Sequence, residues 1–187
     1  MEGSMEKGDM KRQEKYHETK KHGLREFPVN IYPCSIPGDF QNVALHWHEE
    51  MEIISIKKGR GNVVVDRVVY EVEEGDVMAV FPGQLHAIYG FEDQRMDYEN
   101  IIFSLSLLMG AEEDLCTERF LFPLAREQVR EPLFKRRGME GYEAFAGCIQ
   151  TLDCVSVAMG IGSQLRAQRR LSTFLYLSFT SGLKLWE

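Results

Sequence analysis

Hydrophobic and polar positions alternate in short runs from Phe27 to Ser104 and then recur at helical spacing beyond residue 140. Phe27-Pro28-Val29-Asn30-Ile31-Tyr32 reads as an edge strand, the one place in a sheet where a proline such as Pro28 is tolerated. Pro33, Pro37, Gly38 and Asp39 are expected to break the chain into loop. Residues 43–48 and 51–57 read as neighbouring strands. Residues 61–65 and 68–72 flank Asp66-Arg67, a two-residue hairpin connection. Glu73-Glu74-Gly75-Asp76 forms a further turn. Residues 77–81 make a buried strand, Pro82-Gly83 turns the chain, and 86–89 and 97–104 complete the set. Many short strands with turns at this spacing predict a sandwich or barrel.

After Ser106 the period changes. Acidic Glu112-Glu113-Asp114 suits the first turn of a short helix, where the helix dipole favours negative charge. Phe120 to Leu124 reads as an apolar link docked on the barrel. Tyr142, Phe145, Ala146, Ile149 and Leu152 share one face of a helix over 140–156. Gly160 and Gly162 end it, and Ser163 is expected to cap the next helix. Ala167, Leu171, Phe174, Leu175 and Phe179 form a broad stripe opposite Arg166, Arg169 and Arg170. The stripe can pack on the barrel, on the helix over 140–156, or on a second copy of the chain; flanking arginines fit an antiparallel helix pair between subunits, so these five are the candidate dimer interface, on a stripe wide enough for internal packing as well.

Charge sharpens the division. Residues 1–26 carry net +1, 27–105 carry −8, and 106–187 are neutral, giving −7 overall. The acidity is confined to the expected barrel and speaks against direct grip on nucleic-acid phosphates. It also mildly disfavours an anionic effector unless a cation, Arg60 or Arg67 offsets it. The first 26 residues are nearly all polar and read as a solvated leader, Leu24 to Pro37 being the better candidate for an arm that packs on the barrel. They lack the apolar core of a secretion signal, and no apolar run is long enough to cross a bilayer. Cys34, Cys116, Cys148 and Cys154 show no C-x-x-C pairing, which suits reduced thiols and a cytoplasmic location.

The candidate chemistry sits in His46-Trp47-His48-Glu49-Glu50-Met51-Glu52, joined by His86. One intervening residue on a strand would put His46 and His48 on the same face, with Glu52 at the same parity. Imidazole and carboxylate suit Zn, Ni, Mn or Fe. Two readings stay open: a divalent metal site, or hydrogen-bond partners lining a pocket for an organic ligand with no ion. No residue is assigned a catalytic role. Glu50 is the one conceivable base, and an exposed hairpin position is expected for it. Trp47, on the opposite face, is expected to pack outward against the C-terminal helices. Tyr32, Phe81 and Tyr89 read as barrel-mouth or core residues, and Lys135-Arg136-Arg137 as a solvated loop.

His46-x-His48-x3-Glu52-x6-Gly59 resembles the first motif of the cupin superfamily, and Gly75-Asp76 with Pro82-Gly83-x2-His86 resembles the second. The run Leu45-His46-Trp47-His48-Glu49-Glu50-x-Glu52-Ile53 is more similar to the sensor domains of AraC-type transcription regulators than to cupin enzymes. The resemblance implies a mainly β fold with C-terminal helices: a cupin-type double-stranded β-helix, or jelly-roll barrel, followed by an antiparallel helical segment. The expected division is a polar arm over 1–26, the barrel over 27–106 and a helical, dimerising segment over 107–187. The implied function is effector sensing and dimerisation in transcription control. A small polar ligand such as a sugar would bind near His46, His48, Glu52 and His86, and DNA would be reached through helix-turn-helix units that lie outside this chain. The alternative is a metal-dependent cupin enzyme of the dioxygenase or sugar isomerase type. One fold hosts many activities, so the choice rests on the site.

Overall fold

A computed structural model describes residues 14–92, 94–110, 114–126, 129, 131–157, 162–183 and 185. The acidic pair Glu112-Glu113 and the break at Gly160 lie outside the described residues. Seven strands run in order: β1 (Val29–Ile36), β2 (Asn42–His46), β3 (Met51–Val65), β4 (Val68–Glu73), β5 (Val77–Val80), β6 (His86–Gly90) and β7 (Met96–Phe103). A π-helical turn, Thr117–Leu121, leads into α1 (Phe122–Ala125). Strand β8 (Leu133–Lys135), α2 (Tyr142–Val157) and α3 (Ser163–Thr180) follow.

All strand pairings are antiparallel. One sheet runs β1-β7-β3-β5-β8, and β3 also pairs with β4 and β6, the latter carrying β2. β3 belongs to both layers. Its first half pairs with β5 through Ser55 and with β7 through Gly59, and its second half pairs with β4 from Arg60 and with β6 from Gly61. The two strands expected at 51–57 and 61–65 are therefore one bent strand. The bend falls at Gly59, which has φ +79°, next to a register shift between Ile56 and Lys58. The two layers make the expected double-stranded β-helix. β1 is an edge strand as expected, but it runs through Pro33 to Ile36; at an edge the missing N–H costs no ladder bond. The Asp66-Arg67 hairpin takes positive φ at both residues (46° and 73°), the primed turn whose twist matches its strands.

Alternation in β3 divides the interior in two. Met51 and Ile53 face outward, and with Ala79, Ile101 and Phe103 they pack against Phe145, Ile149, Leu152, Leu171 and Phe174. Ile54 and Ile56 face inward and pack with Val63, Val65, Met78, Ile88 and Tyr98. The helices are thus clamped to the outside of one sheet, while the inner core fills the barrel below its mouth.

This packing corrects the expectation for the α3 stripe. Ala167, Leu171 and Phe174 are 0% exposed and Leu175 is 4% exposed within the single chain, so they are spent on the outer core. Phe174 meets Phe145 edge-to-face at 5.2 Å. Only Phe179 lies at the margin, against Phe120 at 5.0 Å. Gly162, in the left-handed region at φ +81°, precedes α3 in the cap position expected for Ser163. Phe120 to Leu124 is helical rather than a plain link, and Asp114 accepts the N–H groups of Cys116 and Thr117 at its start. The basic run is only in part the solvated loop expected: Lys135 ends β8, Arg136 donates to Glu71 O at 2.9 Å while staying 43% exposed, and Arg137 is exposed. No helix among the described residues is long and apolar enough to cross a membrane.

Candidate functional site

β2 ends at His46, which pairs in register with His86 at the start of β6. Their rings lie 4.2 Å apart. His48 comes after the strand has ended, and Glu52 is the second residue of β3. Convergence therefore comes from the loop at 47–50, not from the strand alternation the sequence suggested. The outcome is the expected one: one ligand atom each from His46, His48, Glu52 and His86 lies within 4.8 Å of the others. Gln84 and Asp66 fix the turn that delivers His86. Gln84 Oε1 accepts Phe81 N–H at 2.9 Å, and Asp66 Oδ1 accepts Leu85 N–H at 3.1 Å.

The proton positions follow from the partners. Nδ1 of His46 faces Ala44 O at 2.8 Å, Nδ1 of His48 faces Glu50 O at 3.1 Å, and Nδ1 of His86 faces Gln84 O at 2.8 Å. A carbonyl can only accept, so each Nδ1 carries the proton. In the neutral rings, all three Nε2 atoms are then bare lone pairs. Two of them point at the same carboxylate oxygen, Glu52 Oε2, at 3.1 Å from His48 and 3.2 Å from His86. Acceptors facing acceptors in a buried place repel unless a cation stands between them, either a shared proton or a metal. Imidazoles held by a carbonyl on the far nitrogen are also the usual outer arrangement of metal-ligating histidines. The residues present fit a divalent cation.

Electrostatics carry the same message. Burial opposes ionisation of Glu52, but His86 and His48 overcome it and hold the carboxyl well below the ordinary range. Burial lowers His48, yet its bond to the Glu52 carboxylate and the charge there win, so its net shift is upward. His46 is lowered, by burial and then by the neighbouring His86. Glu52 Oε1 has no hydrogen-bond partner among the described residues. Further along the inward faces, Asn100 Oδ1 and Tyr98 OH also lack one, the latter with the Cys34 thiol beside it. These polar atoms share the barrel interior with otherwise apolar side chains.

Three expectations about neighbours change. Glu50 is 5% exposed rather than on an open hairpin, and its carboxylate lies 3.8 Å from Nδ1 of His48, behind the ring and away from the Nε2 convergence. Trp47 stacks on His17 at 4.2 Å, a residue of the N-terminal segment and not of the helices. The polar segment from Glu14 to His22, read as a solvated leader, docks beside the cluster, while Leu24 to Pro37 packs on the barrel, with β1 paired to β7 and Phe27, Val29 and Ile31 against the outer core. Glu18 N–H donates to Trp47 O at 2.9 Å, and Trp47 N–H donates to Tyr16 O at 3.0 Å. His22 is buried, with Nδ1 3.0 Å from Tyr32 OH. Sequence reasoning missed Glu18 and His22 because the segment lacks the apolar residues that announce packing; it docks through backbone bonds and polar contacts. Phe81 belongs to the outer core and Tyr89 is part-exposed, so Tyr32 alone of the three aromatics approaches the site.

A barrel of this kind, with helices on one outer face and a histidine–glutamate cluster at its mouth, defines a cupin-fold binding domain. Residues 32–177 match the AraC-like ligand binding domain family, and the chain belongs to that family. Among curated relatives, it is 33% identical over 70 residues to the uncharacterized HTH-type transcriptional regulator YdeC of Bacillus subtilis, a match covering 37% of this chain and 24% of that protein. Among solved structures, ToxT from Vibrio cholerae is similar with a TM-score of 0.52 at 14% identity, over 85% of this chain and 58% of that one. A cupin protein from Bacteroides fragilis aligns with a TM-score of 0.33 at 22% identity, over 46% and 67% of the two chains. The chain thus spans about a quarter of its curated relative. The similarity supports a ligand-binding domain of a transcription regulator.

Proposed function

We propose that this chain is the effector-sensing domain of an AraC-type regulator in which a divalent cation, held by His46, His48, Glu52 and His86, receives a small polar effector. The observation that carries the cation is the convergence of His48 Nε2 and His86 Nε2 on one oxygen of the Glu52 carboxylate, each ring held by a backbone carbonyl at Nδ1. The bound ion would supply positive charge that draws an oxygen-bearing ligand into an otherwise acidic barrel. Zinc, nickel, manganese and iron all suit this donor set. Asn100 Oδ1 and Tyr98 OH, unpartnered on the inward faces, are the groups that would read the effector, and a sugar is one class with the hydroxyls to satisfy them. The regulator reading is favoured over a metal-dependent cupin enzyme by the family match, and by Glu50 lying behind His48 where it cannot serve as a base.

Effector binding would bias the outer-core contacts between the sheet and α2 and α3, and through them DNA-binding units such as the curated relative's name implies, acting in the cytoplasm. A homodimer would use the outer side of the helices, since the inner side is spent. Phe120, Leu121, Leu175, Tyr176 and Phe179 line an apolar groove of about 380 Å³ there. The test is direct. Protein stripped with a chelator is titrated with each metal by calorimetry, and a panel of sugars and other polar compounds is then screened by thermal shift with and without the metal. One tight site per chain, with effector shifts that require the metal, is expected. Absence of any tight metal binding sinks the proposal.

A further inference from the structure

The N-terminal segment brings two groups to the cation site that lie outside the four-residue cluster. Glu18 Oε2 is 3.5 Å from His46 Nε2, the one cluster nitrogen not engaged by Glu52. On its other side the same oxygen is 3.9 Å from His22 Nε2. The His22 side chain is 4% exposed, yet its Nε2 has no hydrogen-bond partner among the described residues, an expensive state for a buried polar atom. Glu18 is not free to wander. Its backbone N–H is bonded to Trp47 O, and the preceding His17 is stacked on Trp47.

We propose that Glu18 is an additional ligand for the cation, brought by the N-terminal segment to the His46 side of the cluster, and that His22 is the positioning residue that orients it. This rests on the cation site proposed above. With an ion held there, the Glu18 carboxylate beside His46 would be one of its ligands, and His22 Nε2–H, with Nδ1 accepting from the Tyr32 hydroxyl, would donate to that carboxylate. The orphaned nitrogen and the acceptor-only cluster are then satisfied together. The coupling follows from what else holds the arm. Lys21, 70% exposed, pairs with Glu49 and Glu50, and His17 faces Glu49; such exposed contacts contribute little to stability. Without the ion, two carboxylates face one cluster, and the segment rests on these pairs together with the Trp47 backbone bonds, the His17 stack and the His22–Tyr32 contact. With it, segment and barrel would share an ion as well, so occupancy of the site would add to the order of residues 14–22.

The experiment compares the full chain with Glu18→Gln, His22→Gln and His86→Ala, using Ni2+ for calorimetry and Co2+ for its visible absorption spectrum. Hydrogen exchange of residues 14–22 is followed with and without Ni2+. The expected results are about 10- to 100-fold weaker Ni2+ binding in Glu18→Gln, an altered Co2+ spectrum, and loss of the metal-dependent protection of the arm. His22→Gln should weaken binding less and leave the Co2+ spectrum nearer the parent. His86→Ala should weaken binding more than either, and circular dichroism checks that each variant is folded. If the parent binds Ni2+ but Glu18→Gln matches it in affinity, spectrum and arm protection, the arm ligand is wrong while the cation site stands. If the parent binds no metal, both fall.

Discussion

His48 Nε2 stands 3.1 Å from Glu52 Oε2, and both side chains are only 2% exposed. In cation-free protein that contact needs a proton, which His48 supplies by titrating above the ordinary imidazole value of 6.5. His46 and His22 are lowered, chiefly by burial. The signs oppose one another. His48 contributes stability that is complete below pH 6.5 and is lost as pH rises through its folded value. His46 and His22 contribute stability present above 6.5 and lost as pH falls through theirs. Histidine resonances of chelator-treated protein, followed by NMR across pH 4–9, should show one midpoint above 6.5 and two below. Metal uptake near pH 6.5 should release protons, seen as a dependence of the calorimetric heat on buffer ionisation enthalpy. A His48 midpoint below 6.5 would contradict the assignment.

Phe174 is fully buried between α2 and the sheet, edge-to-face with Phe145. Replacing it with alanine leaves a cavity and should cost about 3–5 kcal/mol. Urea unfolding should show the midpoint falling with little change in slope. The same substitution distinguishes a core residue from an interface residue: the solution mass of the protein that remains folded should not change.

What the sequence made legible, and what it hid, divides along physical lines. The barrel strands showed where one face is less buried, as in β3 where buried Val63 and Val65 alternate with part-buried Asn62 and Val64, and where turn residues bound a short apolar run buried on both faces, as at Val77–Val80. The four-residue cluster was legible because His46, His48 and Glu52 lie within seven residues and His86 follows Pro82-Gly83 in the pattern of the second cupin motif. The α3 stripe was seen, and the barrel, the helix over 140–156 and a second copy were all open as its partner; a face wide enough to bind a neighbour is equally suited to its own sheet, and the fold puts Leu171 and Phe174 at zero exposure there. The Glu14–His22 segment was misread for the opposite reason. Hydrophobicity is the signal by which packing is recognised, and this segment docks through Trp47 backbone bonds and a histidine whose burial leaves no trace in composition.

If the chain dimerises through the outer helical groove, the substitutions that break the dimer are there and not on the buried stripe. Tyr176 is 65% exposed and Phe120 43% exposed, both at the groove. Tyr176→Glu combined with Phe120→Asp should change stability little, because neither aromatic is buried in the core. Light scattering should show the mass halving. A parent protein that is already monomeric at high concentration, or a double variant that stays dimeric, would remove the groove from the interface.

Gly59 connects the fold to the site. At φ +79° it lets β3 leave the layer it shares with β7 and join the layer it shares with β6. An added Cβ would run into the carbonyl oxygen of Arg95, a backbone atom that cannot turn aside. Glu52 lies in the half of β3 before this bend, and Val65, the register partner of His86, in the half after it. Gly138 is the natural comparison: it also has positive φ, +87°, but nothing stands within 4 Å of the position its Cβ would take. Gly138→Ala should therefore cost only the left-handed strain of about 1–2 kcal/mol. Gly59→Ala should cost clearly more, because strain and collision add. It should also weaken Ni2+ binding, since relief of the collision shifts one half of β3 against the other and pulls Glu52 away from His86. Equal urea midpoints for the two variants would show that β3 can bend there without glycine, and unchanged Ni2+ affinity would show that the bend does not set the geometry of the cluster.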